Sequence, residues 1–287
     1  MSDLTKFLER ADGLLARLEQ LVPGPAAEPD WRASVAFRWR RQGARGVIQP
    51  VVHPHRIALK DLLGIDEQKA LIDRNTRQFV EGHAANNVLL TGARGTGKSS
   101  LVKAVLNKYA SKGLRLIELS KHDLMDLSDI IYLVFGRRER FILFCDDLSF
   151  AAEEPGYQAL KAALDGSIAA QSDNLLIYAT SNRRHLMPEY MEENLATQHV
   201  GGEVHPDEAV EEKVSLSDRF GLWASFYPFG QDEYLAIADY WVDSLGAAWG
   251  DQAERHRAAL QWSLARGSRS GRVAWQFARD WAGRKRA

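Results

Sequence analysis

The chain has 287 residues, 45% hydrophobic and 26% charged, enough for one large domain or two modest ones with their own cores. A formal net charge of −1 selects no partner class, so any nucleic-acid surface has to be local. The single cysteine, Cys145, excludes an internal disulfide, and no apolar run approaches the ~20 residues that span a bilayer. The first residues, MSDLTKFLER, lack the basic and apolar regions of a secretory leader. A soluble, cytoplasmic protein with no membrane partner is expected.

Along the chain, residues 2–22 predict an amphipathic helix. Leu4, Leu8, Ala11, Leu15, Leu18 and Val22 alternate steps of four and three. Such a face either docks on its own domain or associates with another copy. Residues 23–30, rich in Pro and Ala, read as a linker. Next come Arg32, Arg38, Arg40, Arg41 and Arg45, interleaved with Trp31, Phe37 and Trp39. Basic residues with aromatics suit single-stranded nucleic acid; they equally suit a strand with one solvated and one packed face. His53 and His55 read as structural.

From residue 59 to 229 strands and helices alternate, which predicts a largely parallel sheet covered by helices. Strands are expected over 87–91, 114–119, 141–145, 175–180 and 223–227, mostly as the continuous apolar runs of strands buried on both faces. After Pro228, helices are expected over 231–245, 251–265 and 271–282. Their tryptophans, among them Trp241, Trp249 and Trp275, predict a small helical core rather than cofactor stacking.

The central motif is Gly92-Ala93-Arg94-Gly95-Thr96-Gly97-Lys98-Ser99, which matches G-x-x-x-x-G-K-[ST]. It follows an apolar run and opens a helical stretch at Ser100, the context in which such a loop cradles phosphates. Lys98 is expected to reach the β- and γ-phosphates of ATP and to be exposed in the unliganded loop. The Ser99 hydroxyl is expected on magnesium. A second apolar run ends in Asp146-Asp147. The first acid would hold the metal and the second would polarise an attacking water. A third run ends at Asn182, placed to hold that water from the other side. Ser217-Asp218-Arg219-Phe220-Gly221 offers an arginine for charge building on a transferring phosphoryl group. Arg272 opens the last helix and could touch the nucleotide.

This order of motifs resembles the AAA+ P-loop ATPases. In them the last three elements are called sensor 1, the arginine finger and sensor 2. The resemblance implies a three-layer αβα fold over 61–229 with a helical lid over 230–287, preceded by a basic, aromatic segment at 31–60 and the helix and linker of 1–30. The segment Asp61-Leu62-Leu63-Gly64-Ile65-Asp66 looks like the strip that packs on adenine, which points to Leu63 and Ile65. FRW, LLGIDEQK, RFILFCDDLSF and YATSNRRHL are similar to a bacterial AAA+ family of predicted ATPases of unknown function. Two features depart from the wider pattern: the second acid is Asp147 where Glu is usual, and the lid is short.

The resemblance implies an Mg-ATP-dependent ATPase that remodels or loads a macromolecule, as a homo-oligomer. Its partner is either a protein or, since DDLSF resembles replication initiators and helicase loaders, nucleic acid. The stretch 120–130 lacks the aromatic-Gly signature of polypeptide-threading AAA+ proteins. A binding module with negligible hydrolysis would need none of Asp147, Asn182 or Arg219. A small-molecule kinase would need an acceptor site that the sequence does not display. Residues 187–214 are acidic, either a solvated loop or a partner-docking one; His199 and His205 there have no metal-site spacing.

Overall fold

The computed structural model describes residues 7, 10–12, 28–43, 45–150, 154–165, 173–182 and 216–284, and the backbone of 199–200 and 203–204. The expected N-terminal helix and linker lie largely outside these residues; Phe7 and 10–12 are helical. The acidic stretch 187–214 also lies outside them, apart from a two-stranded antiparallel pair, β7 (His199–Val200) and β8 (Glu203–Val204) in chain order.

The other strands are β1 (Ala36–Gln42), β2 (Arg45–Pro50), β3 (Val88–Gly92), β4 (Leu114–Leu119), β5 (Arg140–Cys145), β6 (Leu175–Ser181) and β9 (Leu222–Phe226). They form one seven-stranded sheet in the order β2-β1-β4-β5-β6-β3-β9. Every pairing is parallel except β1 with β2. The helices are α1 (Asp66–Val80), α2 (Lys98–Tyr109), α3 (Leu127–Val134), α4 (Pro155–Asp165), α5 (Gln231–Ser244), α6 (Gln252–Ala265) and α7 (Gly271–Arg284).

The strand sequences explain the layers. Side chains alternate between faces. Leu114, Leu116, Ile142, Phe144, Leu176 and Tyr178 pack with α1 and α2 in one core. Ile117, Leu119, Phe141, Leu143, Cys145, Ile177 and Ala179 pack with α3 and α4 in the other. The central strand β5 is buried on both faces and is an apolar run from Phe141 to Cys145, and burial pushes the Cys145 thiol up to about 12.

The basic, aromatic segment takes its structural reading. Phe37 and Trp39 are buried while Arg38 and Arg40 are exposed. Trp31 packs edge-on against Phe37 and Phe141. The Trp39 indole donates to Asp126 at 2.9 Å, and Arg41 pairs with the same carboxylate. The segment therefore adds a hairpin to the sheet beside β4, extending it beyond the five strands expected.

After β9, helices α5 to α7 carry the expected tryptophans except Trp249, which lies between α5 and α6. Trp249 and Trp281 stack at 4.8 Å, and Trp241 meets Trp275 edge-on at 4.7 Å. Asp239 organises α5 against α6 by accepting hydrogen bonds from Arg255 at 2.8 Å and Gln252 at 3.3 Å, with His256 2.7 Å away.

Candidate nucleotide site

Strands β3, β5 and β6 end side by side, and their C-terminal ends carry three of the motifs. Open α/β sheets place ligands at this edge because the loops that leave it diverge. The loop after β3 needs glycine at defined points. At Gly92 (φ +119°) an added Cβ would lie 1.9 Å from the Phe226 carbonyl oxygen, which accepts the Ala93 N–H at 3.1 Å. Gly97 (φ +104°) stands immediately before α2, so the helix begins in a left-handed turn that other residues adopt at a cost. The Thr96 hydroxyl donates to Ala93 O at 2.8 Å and closes the loop. The free N–H groups of the first turn of α2 make such a loop a site for anions.

Lys98 is not exposed as expected; only 5% of its surface reaches solvent. The loop folds over the side chain, and a buried ammonium needs acceptors. It donates to Gly92 O and Ala93 O, both at 2.7 Å, and to Asn182 Oδ1 at 3.0 Å. Burial holds its pKa below the ordinary lysine value. Asp146 and Asp147 oppose that shift, and Arg94 and Arg272 add to it.

The acids at the end of β5 are held from two sides. Asp146 Oδ1 accepts the Ser99 hydroxyl at 2.6 Å and the Thr180 hydroxyl at 2.6 Å. Asp147 has φ +55°, the one positive φ outside glycine among the described residues. Its backbone N–H donates to Thr180 Oγ1 at 2.9 Å, and its carboxylate accepts from the Asn182 amide. Asn182 thus touches both Lys98 and Asp147.

These groups face a cavity of about 790 Å³, in the range of small-molecule sites. Arg94, Gly95, Thr96, Gly97, Lys98, Ser99 and Ser100 line it, with Asp146, Asp147 and Asn182. Leu63, Ile65 and Arg272 also line it, so the strip before α1 and the start of α7 reach the same space as the loop. The α7 contact is direct. The Arg272 N–H donates to Gly95 O at 3.4 Å, and Ser270 sits where a Cβ on Gly95 would intrude.

Several lining groups were not among the expected ones. His55, Arg56, Thr180, Trp241 and Trp275 all reach the cavity. The tryptophans carried no spacing that separates lining from core. His55 and its neighbours are drawn in by Asn107 of α2, whose amide donates to the carbonyls of His55 at 2.9 Å and Ile57 at 2.8 Å. Arg219 is not part of the lining. It precedes β9 and pairs with Asp165 at the end of α4.

The residues fit Mg-ATP. A hydroxyl and a carboxylate already in contact, Ser99 and Asp146, are the hard oxygen donors that magnesium takes beside phosphate and water. The glycine loop and Lys98 would take the phosphates, while Ile57, Leu62, Ile65, Trp241 and Trp275 line the same cavity with apolar surface that a base would need. Among the described residues no cluster of His, Cys, Asp and Glu suggests another metal.

The strand order, the loop and the paired acids define an AAA+ P-loop ATPase fold. Solved structures of an alanine-to-serine and an arginine-to-alanine variant of Thermotoga maritima RuvB are similar to it, each with a TM-score of 0.50, at 15% and 16% identity. Both matches cover 77% of this chain and 63% of the other, so the chain spans under two thirds of the length of these structures. At that identity the likeness shows the fold alone. No curated protein sequence matches the chain. A family model described as "Protein of unknown function (DUF815)" matches residues 32–285, and the chain belongs to the DUF815 family.

Proposed function

We propose that the chain binds Mg-ATP in the 790 Å³ cavity, hydrolyses it, and uses the cycle as an oligomer to remodel or load a macromolecular partner. The observation that carries the reading is the convergence of Lys98, the Ser99–Asp146 pair and the Asp147–Asn182 pair on one cavity at the C-terminal sheet edge. A module that only binds nucleotide has no use for a carboxylate and an amide fixed beside the phosphate-binding lysine.

In this reading Lys98 leaves the Gly92 and Ala93 carbonyls for the β- and γ-phosphate oxygens. Ser99 and Asp146 would hold magnesium, which when bound would supply positive charge that screens the phosphates. Asp147 accepts a proton from the attacking water, and Asn182 fixes that water's position. Leu63, Ile65, Trp241 and Trp275 enclose the base. Arg272 reads the phosphates from the 230–287 lid, closed over the 61–229 nucleotide-binding unit. Arg219 serves the nucleotide of a neighbouring copy, where a guanidinium stabilises transferred charge.

Phosphate release from ATP tests the reading. The wild type is expected to be active with magnesium, and Asp147→Asn is expected to bind ATP yet release phosphate at least ~100-fold more slowly. Equal rates in the two proteins would remove Asp147 from the reaction. Running the assay with and without DNA tells a DNA-stimulated loader from a protein remodeller.

A further inference from the structure

We propose that Thr180 is the positioning residue for both acids of this site, which extends the Mg-ATP reading above and rests on it. Thr180 lies in β6, opposite Leu90 of β3, and is 2% exposed. It holds the three consecutive residues that follow the neighbouring strand β5. Its hydroxyl donates to Asp146 Oδ1 at 2.6 Å. The same oxygen accepts the Asp147 N–H at 2.9 Å, and its backbone carbonyl accepts the Leu148 N–H at 2.7 Å.

The hydroxyl has one proton and two lone pairs, so these bonds fix its direction. A carboxylate cannot donate and a backbone N–H cannot accept. The proton therefore goes to Asp146, and a lone pair faces the N–H of Asp147. One side chain thereby orients the metal-side carboxylate and ties down the N–H of the residue that carries the water-side carboxylate.

The second task carries backbone cost. Asp147 is left-handed at φ +55°, a conformation that Asp and Asn tolerate better than longer side chains. A positive φ here needs support from outside the turn, which the hydroxyl and carbonyl of Thr180 provide. It also gives a physical reason for Asp rather than Glu at 147. With the backbone turned this way, the shorter acid meets Asn182 directly.

Thr180→Val keeps the shape and the backbone carbonyl while removing only the hydroxyl; Thr180→Ser restores it. In the wild type and both variants, phosphate release, KM for ATP and hydrogen–deuterium exchange across 141–150 without nucleotide are compared. Thr180→Val is expected to lose about 10- to 100-fold in kcat, as outer partners of metal ligands do, with KM changed less than about threefold. The 146–148 amides are expected to exchange faster in the unliganded variant, and Thr180→Ser should return both readings to within about threefold of wild type. Where Thr180→Val does not fold, Thr180→Ala replaces it in the same comparison with Thr180→Ser. Wild-type kcat together with wild-type exchange in the hydroxyl-free variant would overturn the assignment. A wild type that releases no phosphate would overturn the hydrolysis reading itself, and with it the role given to Thr180.

Discussion

At Lys98 function and stability pull apart. An ammonium that is 5% exposed, with its pKa held down chiefly by burial, costs the fold something that a neutral side chain would not. The sign follows from proton binding. A lysine whose folded pKa lies below its ordinary 10.5 destabilises the native state at lower pH. That cost is relieved as pH rises through the folded value towards 10.5. Lys98→Met should therefore abolish ATP binding, and its melting temperature relative to wild type should be highest near pH 7 and fall towards pH 10. Melting curves at both pH values check this, and a gap that widens with pH contradicts it. Asp147 makes a second case. Asp147→Glu puts a longer side chain into a left-handed backbone, so it should lose about 1 kcal/mol of stability and gain no turnover. Chemical denaturation and phosphate release on the same preparation test both halves.

At the level of elements, Asp126 ties β1 of the hairpin to the segment before α3 through Trp39 and Arg41. Arg41 holds Asp126 below the usual aspartate range, helped by the Trp39 indole, although burial opposes the shift. A lowered carboxylate pKa contributes stability above 3.8 that is lost as pH falls through the folded value. Asp126→Asn should thus melt below wild type at pH 7, with the gap closing as pH falls below about 4; a constant gap would show that the charge is not what matters. The central strands β5, β6 and β3 were legible in the sequence because burial on both faces leaves each with a run of buried apolar residues. The shift of the first from 87 to Val88 has a visible cause: Asn87 spends its side chain on the Ile177 N–H and its carbonyl on the Leu222 N–H. The hairpin was ambiguous because Arg and Trp alternate alike in a packed strand and in a nucleic-acid face. Thr180 was invisible as a site residue, since its role comes from register across β5 and β6, which no local spacing encodes.

For the whole molecule, the cavity joins three parts distant in sequence: the strip around Leu63 and Ile65, the loop and acids, and the start of α7 at Arg272. The expectation that these parts belong to one site came from the resemblance to AAA+ ATPases, whereas the lining by Trp241 and Trp275 depends on how α5 meets α7. Arg219, paired with Asp165 outside the lining, belongs to the proposal that copies complete one another. Arg219→Ala should bind ATP as wild type does and hydrolyse about 10³-fold more slowly. Mixed with Lys98→Ala it should recover part of the rate, because one chain then supplies the arginine and the other an intact loop. No recovery on mixing, with specific activity flat against protein concentration, would place Arg219 outside any shared site. Every role proposed for the site requires that the Gly92 to Ser99 loop hold Mg-ATP. Calorimetric titration of ATP with magnesium into wild type and Lys98→Ala tests it most directly. Saturable binding at one site per chain is expected in the wild type and none in the variant at the same concentrations, and equal affinity in the two proteins would contradict it.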